Sequence, residues 1–207
     1  MFQSETTSRL YATPFSGSYW RESLRSMRSV RMLVFAALMI AMARALSLIP
    51  SIPMGTTKLS FGFLARALCG MVCGPVVSVA FGFAEDILGF ILQPSGEFFF
   101  GYTISTMVGA LVYALCFYRH RVTVLRLTLA NVLVNVFVNA FMGSVWNLMI
   151  RGGTYWGWFV PSITKNMITI IPKAILMYVV YQALLPILQR MRVIPRQLDE
   201  RGRITWF

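Results

Sequence analysis

Six ionisable residues stand inside apolar runs of this sequence: Arg44, Arg66, Glu85, Asp86, Lys165 and Lys173. A charge held away from water costs a few kcal/mol unless it meets a partner, a wet cavity or a ligand. Counting about 1.5 Å of rise per residue places Arg44 and Lys165 roughly 8 and 9 Å inside the outer ends of their runs. The other four lie deeper. Two acids and two bases make that deep set able to neutralise itself as an ion-pair network. On that reading, loss of Lys173 would strand an acid. The shallow pair has no acid at its depth except Glu97, so Arg44 and Lys165 are expected to receive an anion from outside. Snorkelling of the two long side chains to the interface is the competing reading.

A second polar feature is a row of amides, Asn131, Asn135, Asn139 and Asn147, with Gly143 at the missing step of four. Such spacing keeps one slowly rotating helical face. The inner amides are expected to hydrogen-bond to a neighbouring helix. Trp146 and Asn147 fall at the level of Arg44 and Lys165. Trp146 serves there either to stack on a ligand or as part of an interfacial aromatic belt.

Other chemistries lack their residues. Cys69, Cys73 and Cys116 lie in apolar stretches, an odd number that argues against a disulfide framework. Cys69 and Cys73 can share a helix face, but no further Cys or suitably placed His completes a metal site. They read as packing residues, and neither metal nor cofactor is expected. A Ser–His protease of the membrane interior needs a histidine in the bundle, whereas the sole histidine, His120, is predicted in a loop between Arg119 and Arg121. No H-E-x-x-H occurs, and no phosphate-binding G-x-x-x-x-G-K-[ST] loop. Glu85 and Asp86 are adjacent and therefore point about 100° apart on a helix, a poor arrangement for paired carboxylate catalysis.

The elements that carry these residues are apolar and long. Of 207 residues 57% are hydrophobic and only 13% charged, with 19 Lys plus Arg against 7 Asp plus Glu. Mean hydropathy is +0.67. A disordered tail or polar binding module is excluded. Met32–Ile49 predicts a first span. Leu59–Gln93 is too long for one span and is divided by Gly74 and Pro75 into a predicted tight hairpin. Phe98–Tyr118, Val122–Ile150 and Phe159–Gln189 predict three more, the last with Pro161, Pro172 and Pro186 as start, kink and exit. The expected fold is an all-α integral membrane protein, a bundle of six transmembrane helices with cytoplasmic termini.

Arginine sets the orientation. Arg9, Arg21, Arg25, Arg28 and Arg31, then Arg119, Arg121 and Arg126, then the arginines from Arg190 to Arg203 all fall on one side. The opposite loops hold Lys58 and Arg151. The positive-inside rule makes the arginine side cytoplasmic, so the net charge of +12 is topology rather than a nucleic-acid footprint. Residues 1–30 are expected to be a cytoplasmic segment, residues 31–190 the membrane domain, and residues 191–207 a cytoplasmic tail. Within the first, Trp20, Leu24 and Met27 recur at helical spacing beside arginines. That pattern predicts an amphipathic helix on an anionic membrane surface.

Several segments, in order, resemble the substrate-binding S components of energy-coupling factor (ECF) vitamin transporters, of the folate type. These are Lys58 to Leu64, Gly70 to Pro75, Ala84 to Gly89, Pro94 to Ser105, the Asn135 and Asn139 region, and Pro161 to Asn166. Arg66 stands where that family has uncharged sequence, and Phe100 where it often has proline. The resemblance implies six helices in a bacterial cell membrane, a vitamin pocket near the external face, and no ATPase in this chain. It also implies a transmembrane coupling subunit and two cytoplasmic ATPase subunits as partners. Ala37, Ala41 and Ala45 have the small-residue spacing that admits a neighbouring helix, and they resemble the family's docking surface for the coupling subunit. Four buried bases less two acids leave a surplus of two, which the two carboxylates of folate would neutralise. The expected substrate set is Arg44, Lys165 and Lys58 for charge, Asn147 for an amide contact, and Tyr102 or Trp146 for stacking. Two alternatives remain open: an S component for another anionic vitamin or pterin-like compound, and a solo proton-coupled carrier using Glu85 and Asp86.

Overall fold

The structure, a computed structural model, describes residues 17–49, 52–54, 57–59, 61–94, 98–191, 194 and 204–206. The first sixteen residues, Glu97, most of the tail and the Lys58 side chain, all of which carry expectations above, lie outside the described residues.

The chain is almost wholly helical. A short α1 (Gly17–Met27) leads into α2 (Val30–Leu48), followed by a ribbon of β1 (Ile52–Met54) and β2 (Thr57–Leu59). The two three-residue strands pair antiparallel, Ile52 opposite Leu59, and carry Lys58 in β2. Then come α3 (Gly62–Cys73), α4 (Pro75–Leu92) and α5 (Phe100–Phe117). A further rod consists of α6 (Val124–Leu133), a π-helical stretch (Val134–Met142) and α7 (Gly143–Arg151). The last helix is α8 (Tyr155–Arg190).

Five helical segments are long and apolar enough to cross a membrane: Val30–Leu48, Pro75–Leu92, Phe100–Phe117, Val124–Arg151 and Tyr155–Arg190. The other apolar helix, α3, has 12 residues. At about 1.5 Å per residue it reaches roughly 18 Å, short of a bilayer's hydrocarbon core of about 30 Å. All of α3 but Gly62 and Arg66 is buried, so neighbouring helices cover it on every side. Its Phe63, Leu68 and Met71 form the bundle core with Phe81, Tyr113, Phe117, Met177 and Tyr181.

The predicted break at Gly74–Pro75 is present. Gly74 adopts φ +85°, and a Cβ there would lie 2.9 Å from Ser23 Oγ and from the Tyr118 ring, so only glycine fits. Pro75 opens α4, where its missing N–H would be unpaired anyway. Two prolines of the last span behave differently from expectation. Pro161 and Pro186 lie within the continuous α8 rather than marking its ends, and Pro172 lies inside the helix, where a kink was expected.

One end of the bundle is closed by short polar ties. Val76 N–H donates to Ser23 Oγ at 3.0 Å, and Ser26 Oγ donates to the Cys73 carbonyl at 2.9 Å, so α1 caps both ends of the α3–α4 turn. Arg119 pairs with Glu22, and Tyr19 packs edge-on to Tyr118. His120 lies in the connection after α5, as predicted, but is buried there near Tyr19. Thr205 offers its carbonyl to Val124 N–H at the start of α6. On the outer side of α1, Trp20 and Leu24 are exposed beside Arg21 and Arg25.

Candidate functional site

The opposite end of the bundle holds two cavities that share Tyr102. The first, about 330 Å³, lies between α5, the Val124–Arg151 rod and α8. From α8 it takes Ser162, the adjacent Lys165 and Asn166, Thr169 and Lys173, and the series 162, 166, 169 and 173 has steps of four, three and four that keep one face. From the rod it takes Asn139, Gly143 and Asn147. No carboxylate is among its described lining residues.

The deeper lysine is held by an amide. Lys173 Nζ donates to Asn135 Oδ1 at 2.8 Å and lies 5.8 Å from the centre of the Phe63 ring. Among the described residues neither lysine forms an ion pair. The expectation that Lys173 neutralises an acid is therefore overturned; an amide is its partner. Lys165 lines the cavity, while Glu97, the acid expected nearest its depth, lies outside the described residues.

The amide row works as a relay of hydrogen bonds. Asn131 donates to the Ile170 carbonyl of α8 at 2.9 Å, Asn135 to Asn131 Oδ1 at 2.6 Å, and Asn139 to Asn135 Oδ1 at 3.3 Å. A step of four drifts by roughly 40° on an α-helix. The wider turn of the π stretch drifts the other way, and so returns Asn139 toward the cavity face. Asn147 Nδ2 donates to the Gly143 carbonyl at 2.7 Å. Trp146 donates its indole N–H to Ser105 Oγ at 2.8 Å and packs edge-on to Phe99, so it backs the wall between the cavities.

The second cavity, about 450 Å³, is lined by Arg44, Asp86, Gly89, Gln93 and the rings of Phe90, Phe98, Phe99 and Tyr102. Here the reading of Arg44 as an uncompensated cation is corrected. Its Nη2 lies 2.5 Å from Glu85 Oε1, and Arg66 Nη2 lies 2.9 Å from Glu85 Oε2. Glu85, 1% exposed, thus serves two arginines at once. Depth counted at Cα positions misjudged this, because an arginine side chain reaches several ångströms along the bundle. The approach needs Gly89: a Cβ there would lie 2.1 Å from Arg44 Nη1. Asp86 is not part of that pairing. It accepts hydrogen bonds from Thr103 Oγ1 at 2.7 Å and Thr106 Oγ1 at 3.2 Å.

The structure thus brings Arg44, Lys165, Asn147 and Tyr102 to the two cavities, with Trp146 behind them. Lys58 is placed in β2, which packs near α8. Sequence reasoning missed Asp86, Lys173, Asn139, Asn166 and the phenylalanine wall as lining residues. The α8 stripe from Ser162 to Lys173 carried a legible signal, its three- and four-residue spacing. The Phe98–Phe99 wall carried none, because short aromatic runs are common at membrane interfaces. Chemically, one cavity is cationic and amide-rich, the other aromatic, with Arg44 and Asp86 as the charged groups among its described lining residues.

A family model described as "ECF transporter, substrate-specific component" matches residues 31–181. The chain is 32% identical over 152 residues to "Folate transporter FolT" of Clostridium novyi (strain NT), covering 73% of this chain and 88% of that protein. It is 27% identical over 140 residues to "Folate transporter FolT" of Leuconostoc mesenteroides subsp. mesenteroides, covering 67% and 75%. A solved structure described as "Crystal structure of FolT bound with folic acid" superposes with a TM-score of 0.63 at 26% identity, covering 72% of this chain and 90% of that one.

Proposed function

The chain belongs to the substrate-specific components of ECF transporters, a multi-pass membrane family of transport subunits rather than enzymes, and on that premise we propose that it captures folate. The observation that carries this reading is the pair Lys165 and Lys173 on one amide-lined cavity that has no carboxylate among its described lining residues. Folate ends in a glutamate whose two carboxylates match two cations. The surplus of positive charge inferred from composition resides in these lysines, since Arg44 and Arg66 share Glu85. Asn147 supplies an amide contact, and Tyr102 and the wall backed by Trp146 supply flat apolar surface. Lys58, in the neighbouring ribbon, adds positive charge on the approach.

Equilibrium binding of folate and of pteroate, which lacks the glutamate, tests the reading on purified protein. Folate should bind at least about tenfold more tightly, because a charged hydrogen bond contributes about 1.5–3 kcal/mol. Equal affinities would remove the glutamate from the lysine cavity and with it this assignment.

Energy then comes from partners, a transmembrane coupling subunit and two cytoplasmic ATPases, with no ATPase in this chain. Ala37, Ala41 and Ala45 are all exposed on α2, whereas Ala36 and Ala43 are buried against the bundle. The exposed stripe is the proposed docking face. Ala41→Trp should block assembly with the coupling subunit, read by co-purification, and leave folate affinity unchanged; loss of both would make the stripe internal packing.

In the bacterial cell membrane the arginine-rich end faces the cytoplasm, which puts both termini inside and the cavities outside. The buried α3 then serves as a sixth, half-length crossing between β2 and α4. A membrane-impermeant thiol reagent should reach Gly153→Cys and not Arg121→Cys from outside intact cells. The reverse pattern would invert the orientation.

A further inference from the structure

The two cavities differ in charge, and the difference orients a ligand that reaches from one to the other past Tyr102, which lines both. Among the described residues Asp86 is the one carboxylate lining either cavity, and Arg44 lines the same cavity beside it. A dianionic tail is drawn instead to Lys165 and Lys173, which pair with no carboxylate among the described residues. What remains for the Asp86 side is the other end of the ligand. We propose, building on the folate assignment, that Asp86 is the specificity-determining residue for the pterin ring, accepting hydrogen bonds from its 2-amino group and N3–H.

The donors of a 2-amino-4-oxopteridine lie side by side on one ring edge, and a carboxylate accepts two parallel N–H bonds with its two oxygens. Asp86 has acceptor capacity to spare. The Thr103 hydroxyl takes one site on Oδ2, and the Thr106 hydroxyl, whose single proton is shared with the Tyr102 carbonyl, approaches Oδ1, which leaves at least two of about four sites open. The walls suit a flat ring: Phe90 and Phe98 stand edge-on at 5.1 Å, Phe99 and Tyr102 at 5.9 Å. Arg44, which lines the same cavity, supplies a guanidinium donor for the 4-oxo oxygen. Glu85 holds the rest of that guanidinium in place. Tyr102, common to both cavities, then lies where the ring system meets the tail.

Two measurements test this. First, the unmodified protein is titrated with folate and with a folate analogue whose 2-amino group is replaced by methyl. The analogue should bind at least about tenfold more weakly, because it leaves a buried acceptor unpaired. Second, Asp86→Asn should weaken folate and pteroate by the same factor, roughly 10- to 150-fold. The ratio of the two affinities, which reports the glutamate, then stays unchanged, whereas Lys165→Ala collapses that ratio. Equal affinity of the unmodified protein for folate and the analogue would overturn the role of Asp86. So would an Asp86→Asn loss confined to folate, or no loss at all. Should Asp86→Asn fail to fold, the analogue titration decides alone. Failure of the folate assignment is separately visible as equal binding of folate and pteroate by the unmodified protein.

Discussion

The two ends of this bundle spend their polar groups in opposite ways. At the arginine-rich end, Ser23, Ser26, Glu22 and Arg119 are used up in short ties between segments. At the other end Lys165, Asn139, Asn166 and Asp86 are gathered around cavity space. Polar side chains in an apolar bundle are costly in both places. At the first end the cost is offset by hydrogen bonds within the chain, which close the structure. At the second it is offset only in part, which leaves binding capacity. Glu85 sits between the two regimes, spent on two arginines yet one residue from Asp86.

Substitutions can break this contrast. The largest effect is expected at Glu85→Ala, which leaves Arg44 and Arg66 without their shared carboxylate; removing one partner of a buried pair costs about 3–5 kcal/mol. Thermal unfolding in detergent should show a large drop, and an unchanged midpoint would mean that the two arginines find water or other partners. Next is Lys165→Ala, which should weaken folate binding roughly 10- to 150-fold. Arg25→Ala at the opposite end should leave it untouched. Equal effects from the two would erase the division between a closed end and a binding end. The smallest is Ser23→Ala, which removes the acceptor for Val76 N–H near the start of α4. A lost cap costs about 1 kcal/mol, so stability should fall modestly while folate affinity holds. A change in affinity would reveal that the turn at Gly74 and the cavities are coupled.

The candidate site was partly legible before any fold was known. Lys165 and Asn147 were expected at one level by depth alone, and both line the first cavity. Arg44 could not be placed that way, because its long side chain is passed across α4 at Gly89 to reach Glu85. Lys173 looked like half of an ion pair because acids and bases were equal in number at its depth. The rotation of α8 turns it instead toward Asn135 and Phe63. The half-length of α3 was hidden as well, since an apolar run does not say whether lipid or neighbouring helices cover it.

From residue order alone came the apolar helical spans, the hairpin at Gly74–Pro75 and the arginine-rich end. These depend on local quantities: hydropathy over a span, the 3.6-residue period, and the fixed φ of proline. Only the tertiary structure decided that Glu85 serves two arginines, that two lysines face one cavity, and that Asp86 stands among phenylalanines in another. Those outcomes depend on how far each helix is rotated and how closely it approaches helices dozens of residues away, which packing of the whole core sets.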